Sequence, residues 1–208
     1  MAKAIDRGLE NREIVLGVLT EVLDKGNFVH LVLNQALSKY QYLEKPDRAF
    51  ITRVTEGTLE YLLQIDYIIN SYSKTKTEKM KPLIRNILRM SVYQLLYMDS
   101  VPDSAVCNEA CKLAVKRKFQ NLRGFVNGVL RNIARNKENL VSPEEMGLSG
   151  QYSMPEWIVE EWLNAYGMEQ TKAILDAFSK EAPITIRTNV TKITPDALKE
   201  QLKAEGVT

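Results

Sequence analysis

The chain has 208 residues, of which 45% are hydrophobic and 26% are charged, and its formal net charge is +2. This balance is ordinary for a soluble globular protein and argues against the disordered and membrane classes. The longest uncharged run, residues 26–38, is shorter than the roughly 20 apolar residues that span a bilayer, and the amino terminus lacks the apolar core of a signal peptide. We therefore expect a cytosolic protein without a membrane partner.

Apolar residues recur at helical spacing through most of the first 137 positions, and no window before residue 180 alternates as a half-buried strand would. The spacing predicts helices over residues 12–23, 28–37, 47–62, 65–72, 81–98, 103–118 and 121–136. The helix over 81–98 is apolar on all sides, which is typical of the centre of a bundle. Residues 5–137 are therefore expected to form one all-α domain.

The next segment, residues 138–152, is rich in Pro, Gly and Ser and lacks an amphipathic period, so it is predicted to be a linker. Beyond it, Ser153-Met-Pro-Glu156 fits a capping box, Gly167 is expected to end the helix that follows, and another helix is expected over 169–178. Residues 184–190 (ITIRTNV) are the one clear strand, and Thr194 can cap a last helix. Because one strand cannot form a sheet, we interpret 153–208 as an incomplete α+β segment.

Charge is distributed unevenly along the chain. Residues 1–73 carry 8 Lys/Arg and 10 Asp/Glu, residues 74–137 carry 14 and 4, and residues 138–208 carry 6 and 12. A net charge of +10 within a helical region is typical of a polyanion site, because a surface that is only soluble usually mixes both signs. Nucleic acid is the leading candidate for the partner.

Metal binding is not expected. Cys107 and Cys111 are one helical turn apart, a geometry that suits neither a disulfide nor a zinc site without further ligands, and the sole histidine, His30, is distant in sequence. We predict that both cysteines pack as small apolar residues.

Two motifs carry a resemblance to a known fold. VCNEAC at 106–111, followed by FVNGVL at 125–130, resembles the paired motifs of the NusB-like RNA-binding fold, an all-helical bundle used in transcription antitermination and in ribosomal RNA methylation. Antitermination NusB proteins end soon after this helix and typically have an acidic residue where this chain has Arg131. RsmB (Sun/Fmu) proteins have the arginine and continue, as this chain does. The cysteines depart from the branched apolar residues usual in the family.

The later part of the chain fits the same branch. Residues 153–157, 166–167 and 186–189 resemble the segment that joins the NusB-like domain to the methyltransferase core of RsmB proteins. The resemblance therefore implies a NusB-like domain at 5–137, a linker at 138–152, and the truncated start of the methyltransferase-side RNA-binding subdomain at 153–208.

The resemblance implies a function for the whole protein: cytosine-5 methylation of small-subunit ribosomal RNA, with S-adenosylmethionine as methyl donor. This chain lacks a glycine-rich strand-to-helix loop to hold that cofactor, and its cysteines do not stand in the catalytic motif. We therefore expect a region that binds ribosomal RNA for its own missing catalytic domain, with no catalytic residue and no cofactor of its own. A NusB-type antitermination factor and a helical protein-interaction module are the alternatives.

The candidate site residues form two groups. Arg123, Asn127, Arg131 and Arg135 recur every four residues and rise about 6 Å per step, which suits contact with successive phosphates. Asn108, Glu109 and Asn127 are interpreted as a structural polar network, and Arg131 fits either role. The candidates for RNA contact are Arg123, Arg131, Arg135, Lys112, Lys116, Arg117, Lys118, Lys74 and Lys76.

Overall fold

The computed structural model describes residues 6–140, 142–180 and 185–206. Its helices are α1 (Arg7–Leu23), α2 (Val29–Lys39), α3 (Lys45–Glu60), α4 (Leu62–Tyr72), α5 (Pro82–Tyr97), α6 (Asp103–Lys116), α7 (Arg123–Arg135), α8 (Pro143–Tyr152), α9 (Glu156–Phe178) and α10 (Pro195–Ala204). The helices predicted for the first 137 positions are confirmed, with shifted ends. Helix α1 begins at Arg7 because Asp6 caps it by accepting a hydrogen bond from the N–H of Leu9 at 3.2 Å.

The chain divides into two compact units, with the boundary after Ala173. In the first unit, α5 is the central helix, as its apolar sequence predicts: 11 of its 16 residues are buried. It packs against α1, α3, α4, α6 and α7. The hydrophobic core of this unit therefore surrounds a single helix, and the other helices are positioned by their contact with it.

Buried polar side chains on α5 fix its neighbours. Arg89 donates two hydrogen bonds to the carboxylate of Asp66 on α4, at 2.8 and 2.6 Å. Asp24, which follows α1, accepts from Asn86 at 2.9 Å and from Arg85 at 2.7 Å. These groups lie in or near the core, where a polar atom without a partner would be costly to bury. The hydrogen bonds between α5 and its neighbours remove that cost.

A glycine allows α3 to approach α5 closely. A Cβ atom at Gly57 would collide with the ring of Tyr93, which is only 5% exposed. The ring of Tyr93 in turn stacks on that of Tyr97 at 5.3 Å, and Tyr97 stacks on Tyr61 at 4.3 Å. Gly57 is therefore required by packing, and the tyrosines are core residues.

The segment predicted to be a linker contains helix α8, which packs against α4. The hydroxyl of Tyr67 donates to the carbonyl of Glu145 at 2.8 Å. Gly147 has a φ of 64° and breaks the helical path, so the two short halves show no continuous period in the sequence. The capping box at Ser153 is wrong: Ser153 has a φ of 52° and its hydroxyl accepts from the N–H of Leu63 at 3.0 Å.

In the second unit the predicted strand is absent. Residues 185–189 have no regular secondary structure, and Ile184 lies outside the described residues. A strand is stabilised by a neighbouring strand, and the described residues contain none to pair with this segment. The cap of α10 is confirmed, because Thr194 accepts from the N–H of Ala197 at 3.3 Å.

Gly167, predicted to end a helix, has a φ of 76° and kinks α9 between two helical halves. None of the helices in the described ranges is long and apolar enough to cross a bilayer.

Candidate nucleic-acid interface

An open groove of about 1400 Å³ lies between α1, α6 and α7. It brings together most of the residues that the sequence predicts for RNA contact and for the polar network. From α7 and α6 these are Arg123, Asn127, Arg131, Asn108, Glu109, Lys112 and Lys116. The opposite wall is acidic, and it consists of Asp6, Glu10 and Glu13 at the start of the chain. The groove is therefore of mixed charge: it contains cations of α6 and α7, the carboxylate of Glu109 on α6, and three carboxylates at or just before the start of α1.

Lys112 and Lys116 of α6, and Arg117 directly after it, are neutralised within the protein. Lys112 contacts Asp6 at 2.9 Å and Glu109 at 2.7 Å. Hydrogen bonds to Glu109 and then to Asp6 raise the pKa of Lys112 above its ordinary value. Lys116 pairs with Glu13, which also pairs with Arg117 at 3.2 Å. A phosphate that approached these three cations would have to compete with the carboxylates.

The arginines of α7 differ from the α6 cations in their ion pairing. Arg123, Arg131 and Arg135 are exposed, and none forms an ion pair with any other residue that the structure describes. At 100° per residue they span about 120° of the helix surface, from Arg123 beside the buried Leu130 to Arg135 on the side away from the core. We call these three arginines the arginine row. The helix itself contains no acidic residue, so the row presents an uncompensated positive charge.

The residues of the predicted polar network do not form one connected network: Asn127 and Glu109 have different partners. Arg131 donates to the side-chain oxygen of Asn127 on its own helix at 3.1 Å, whereas Glu109 pairs with Lys112. Asn108 is exposed at the edge of the groove. A direct bond between Arg131 and Glu109, one of the two interpretations of Arg131, does not occur in the structure.

Glu109 has a structural environment that its sequence position does not reveal. Its second carboxylate oxygen is buried without a hydrogen-bond donor in the described residues. Its charge acts on Arg12, a residue of α1 that is only 6% exposed. Burial lowers the pKa of Arg12, and the charges of Glu109 and then Asp6 oppose that shift. Glu109 therefore stabilises a buried cation, which supports its interpretation as structural.

The remaining candidates lie outside the groove. Lys74 and Lys76 are in the connection from α4 to α5, where Lys76 donates to the carbonyl of Asn70 at 3.3 Å. Lys118 follows α6, is exposed, and has a left-handed backbone with φ of 67°. Arg135 is in the last turn of α7, next to the groove residues but not among them.

The two cysteines are buried thiols, as predicted. Cys107 is 3% exposed and Cys111 is 7% exposed, and burial raises the pKa of both thiols above the ordinary value. Cys111 also lies against the backbone carbonyl of Arg123, with the sulfur at 3.8 Å from the oxygen. Among the described residues, no cluster of three or more His, Cys, Asp and Glu side chains could hold a metal ion.

The sequence-based reasoning missed the acidic wall of the groove. Asp6, Glu10 and Glu13 recur at three- and four-residue intervals, so their common helix face is visible in the sequence. The pairing of Asp6 with Lys112 and of Glu13 with Lys116, about one hundred positions later, is not visible there, because it depends on how α1 packs beside α6.

The chain resembles known proteins over both of its parts. A profile of the NusB family matches residues 9–135, and a profile described as the ferredoxin-like domain of RsmF/B-like methyltransferases matches residues 154–208. The probable ribosomal RNA small subunit methyltransferase B of Bacillus subtilis (strain 168) is 32% identical over 199 residues. That match covers 94% of this chain and 44% of the relative, so the chain spans less than half the length of this curated protein.

Solved structures share the fold. NusB of T. maritima matches with a TM-score of 0.57 and 25% identity, over 67% of this chain and 95% of that one. The protein PH0851 matches with a TM-score of 0.66 and 20% identity, over 99% of this chain and 46% of that one. Because the NusB profile covers more than half of its residues, the chain belongs to the NusB family.

Proposed function

We propose that this chain is the RNA-binding amino-terminal region of an S-adenosylmethionine-dependent methyltransferase that modifies cytosine at C5 in small-subunit ribosomal RNA. In this role it positions ribosomal RNA for a catalytic domain that the described residues do not contain. The match of both parts of the chain to methyltransferase-related proteins supports this branch over an antitermination factor.

The observation that carries the RNA-binding part is the arginine row. Three exposed guanidinium groups follow one helix face without an ion-pair partner in the described residues. Guanidinium groups suit bidentate contact with phosphate, and the absence of acidic residues on α7 leaves their charge available. A protein-interaction module without nucleic acid would not require such a row, since an ordinary soluble surface mixes both signs.

The cations of α6 and the adjacent Arg117 contribute less to RNA binding in this proposal. Lys112, Lys116 and Arg117 are held by carboxylates, so their contribution to RNA affinity is reduced by the competition. Lys118, Lys74 and Lys76 have no ion pair within the part of the chain that the structure describes. They extend the cationic surface but lie outside the groove.

The described residues do not fit S-adenosylmethionine. Nucleotide-like cofactors are commonly held at a glycine-rich turn between a strand and a helix. Here the glycines with positive φ, which are Gly26, Gly147, Gly167 and Gly206, stand at helix ends and helix kinks, and the described residues contain no strand. In this proposal the cofactor is bound by the catalytic domain.

The proposal is tested by titrating the chain with a small-subunit ribosomal RNA fragment at several salt concentrations. If the arginine row makes about three phosphate contacts, log K should fall with log salt at a slope of about −2 to −3. A salt-independent affinity, or no binding at low salt, would contradict it. In the complete methyltransferase, Arg123→Gln with Arg131→Gln should raise KM for RNA and leave kcat nearly unchanged, because these residues bind without touching the reacting atoms.

A further inference from the structure

Arg131 differs from the other arginines of the row because a neighbouring side chain holds its guanidinium group. Its Nε donates to the side-chain oxygen of Asn127, one turn earlier on α7, at 3.1 Å. Among the described residues, no side-chain oxygen holds Arg123 or Arg135 in this way. The hydrogen bond uses Nε and leaves both Nη groups available for a ligand. Since Asn127 is neutral, it restricts the orientation of the guanidinium group without neutralising its charge.

Arg131 lies in the part of the groove that is remote from the acidic wall. Its charge acts on the thiol of Cys107, in the first half of α6, and lowers the pKa of that thiol against the larger, opposite effect of burial. The acidic wall pairs instead with Lys112 and Lys116, further along the same helix. A phosphate at Arg131 therefore approaches the groove where the carboxylates of α1 do not compete for the cation.

Neutral side chains line the groove at the start of α6. Ser104 and Asn108 are both exposed there and can donate to a bound ligand or accept from it. Asp103, the acid in the first turn of α6, pairs with Lys137 at 3.5 Å and is not among the groove residues. The charge of Arg131 thus stands beside polar groups that do not oppose an anion.

We propose that Asn127 is a positioning residue for RNA binding: by holding Nε of Arg131, it directs the two Nη groups toward one phosphate of the RNA backbone. The inference rests on the proposed RNA-binding function and names the residue that prepares one of its contacts. A bidentate contact needs one orientation of the guanidinium plane, and a long side chain loses rotamer freedom when a ligand fixes it. Asn127 removes part of that freedom before RNA binds, so it raises affinity through Arg131 without touching RNA.

The first experiment titrates Asn127→Ala, in the full chain, with the small-subunit ribosomal RNA fragment at several salt concentrations. Affinity should fall on the order of fivefold, as expected when binding must fix one additional long side chain. The salt slope should not change, because the same number of phosphates is still neutralised. Asn132→Ala is the matched control on α7: Asn132 accepts a hydrogen bond from the side chain of Asn136 at 3.2 Å but holds no cation. It should bind RNA as the wild type does.

Two further variants separate positioning from a direct contact. In an Arg131→Gln background, Asn127→Ala should cause no further loss of RNA affinity, because no guanidinium group is left to orient. Asn127→Asp should reduce the magnitude of the salt slope by about 0.7 to 0.9, since a carboxylate one turn before Arg131 neutralises it. The melting temperature of Asn127→Ala should not fall, because the hydrogen bond is exposed and alanine is the better helix former.

Equal losses of affinity from Asn127→Ala with and without Arg131 would overturn the inference, because Asn127 would then act independently of the arginine. Wild-type affinity in Asn127→Ala would also overturn it, as would a loss of affinity that is accompanied by a lower melting temperature. Failure of the proposed function gives a different result, in which the wild-type chain itself shows no salt-dependent RNA binding.

Discussion

Asp6 and Lys112 form an ion pair at 2.9 Å across 106 positions of the sequence. Asp6 stands immediately before α1, where it also accepts a hydrogen bond from the N–H of Leu9. One carboxylate thus caps a helix and neutralises a lysine on another helix. Lys112 belongs to the segment with a net charge of +10, and its pairing shows that part of this charge is compensated by acids from the amino-terminal segment.

We expect the arginine row to contribute affinity without contributing stability. Arg123→Ala combined with Arg135→Ala should weaken RNA binding and reduce the magnitude of the salt slope by roughly 1.5, because two phosphate contacts are lost. Unfolding free energy should change by no more than about 0.5 kcal/mol, as at other exposed sites. Thermal melts and RNA titrations of the same variant decide the matter: an equal loss of binding and of melting temperature would indicate a structural role instead.

Glu13 is expected to restrain the two cations at the carboxyl end of α6. It pairs with both Lys116 and Arg117, so Glu13→Gln should release them to contact phosphate. RNA affinity should rise and the salt slope should become steeper by about 1, measured by the same titration. Glu21→Gln on the same helix is the control, because Glu21 pairs with Lys25 rather than with α6. Unchanged affinity in Glu13→Gln would show that Lys116 and Arg117 do not reach RNA.

The Asp6–Lys112 pair predicts a pH dependence on the acid side. The hydrogen bond from Lys112, followed by that from Leu9, lowers the pKa of Asp6 below its ordinary value of 3.8. Its contribution to stability is therefore present above about pH 3.8 and is lost as the pH falls through the lower, folded-state pKa. In an NMR titration, Lys112→Met should raise the pKa of Asp6 toward 3.8. Asp47, whose pKa is lowered chiefly by Asn11, should not respond.

Gly57→Ala should have the opposite effect on stability from the same change at an exposed helical glycine. The added Cβ would collide with the ring of Tyr93, which is held between packed tyrosines. We expect a loss of about 1–3 kcal/mol in urea unfolding, as for other overpacked cores, despite the better helix propensity of alanine. A more stable variant would show that the interface between α3 and α5 can relax.

The chain alone is expected neither to bind S-adenosylmethionine nor to methylate RNA. The described residues lack a strand and a glycine turn that could hold the cofactor. Isothermal titration calorimetry should therefore give no saturable signal at micromolar concentrations. Saturable binding would contradict the assignment of the cofactor site to another part of the enzyme.

Much of the first unit was predictable from local patterns. The helices through α7 follow from apolar spacing, because a helix buries one face and its period is set by the 3.6-residue turn. The central place of α5 follows from its apolar surface, and the arginine row follows from four-residue spacing alone. Helix α8 was not predicted because Gly147 divides it into halves that are too short to show a helical period. The strand over 184–190 was predicted from residue preferences alone, and these do not provide a second strand to pair with it.

Tertiary structure determines which of the cations form ion pairs. Lys112 and Arg131 are both cationic residues of the same basic segment, and their spacing on α6 and α7 gives no reason to separate them. The packing of α1 beside α6 places Asp6 and Glu13 against the α6 cations and leaves the α7 arginines free of ion pairs within the described residues. Sequence determines which helix face carries charge, because that depends on residues a few positions apart. Which charges are neutralised depends on distances between helices, and only the packed fold sets those distances.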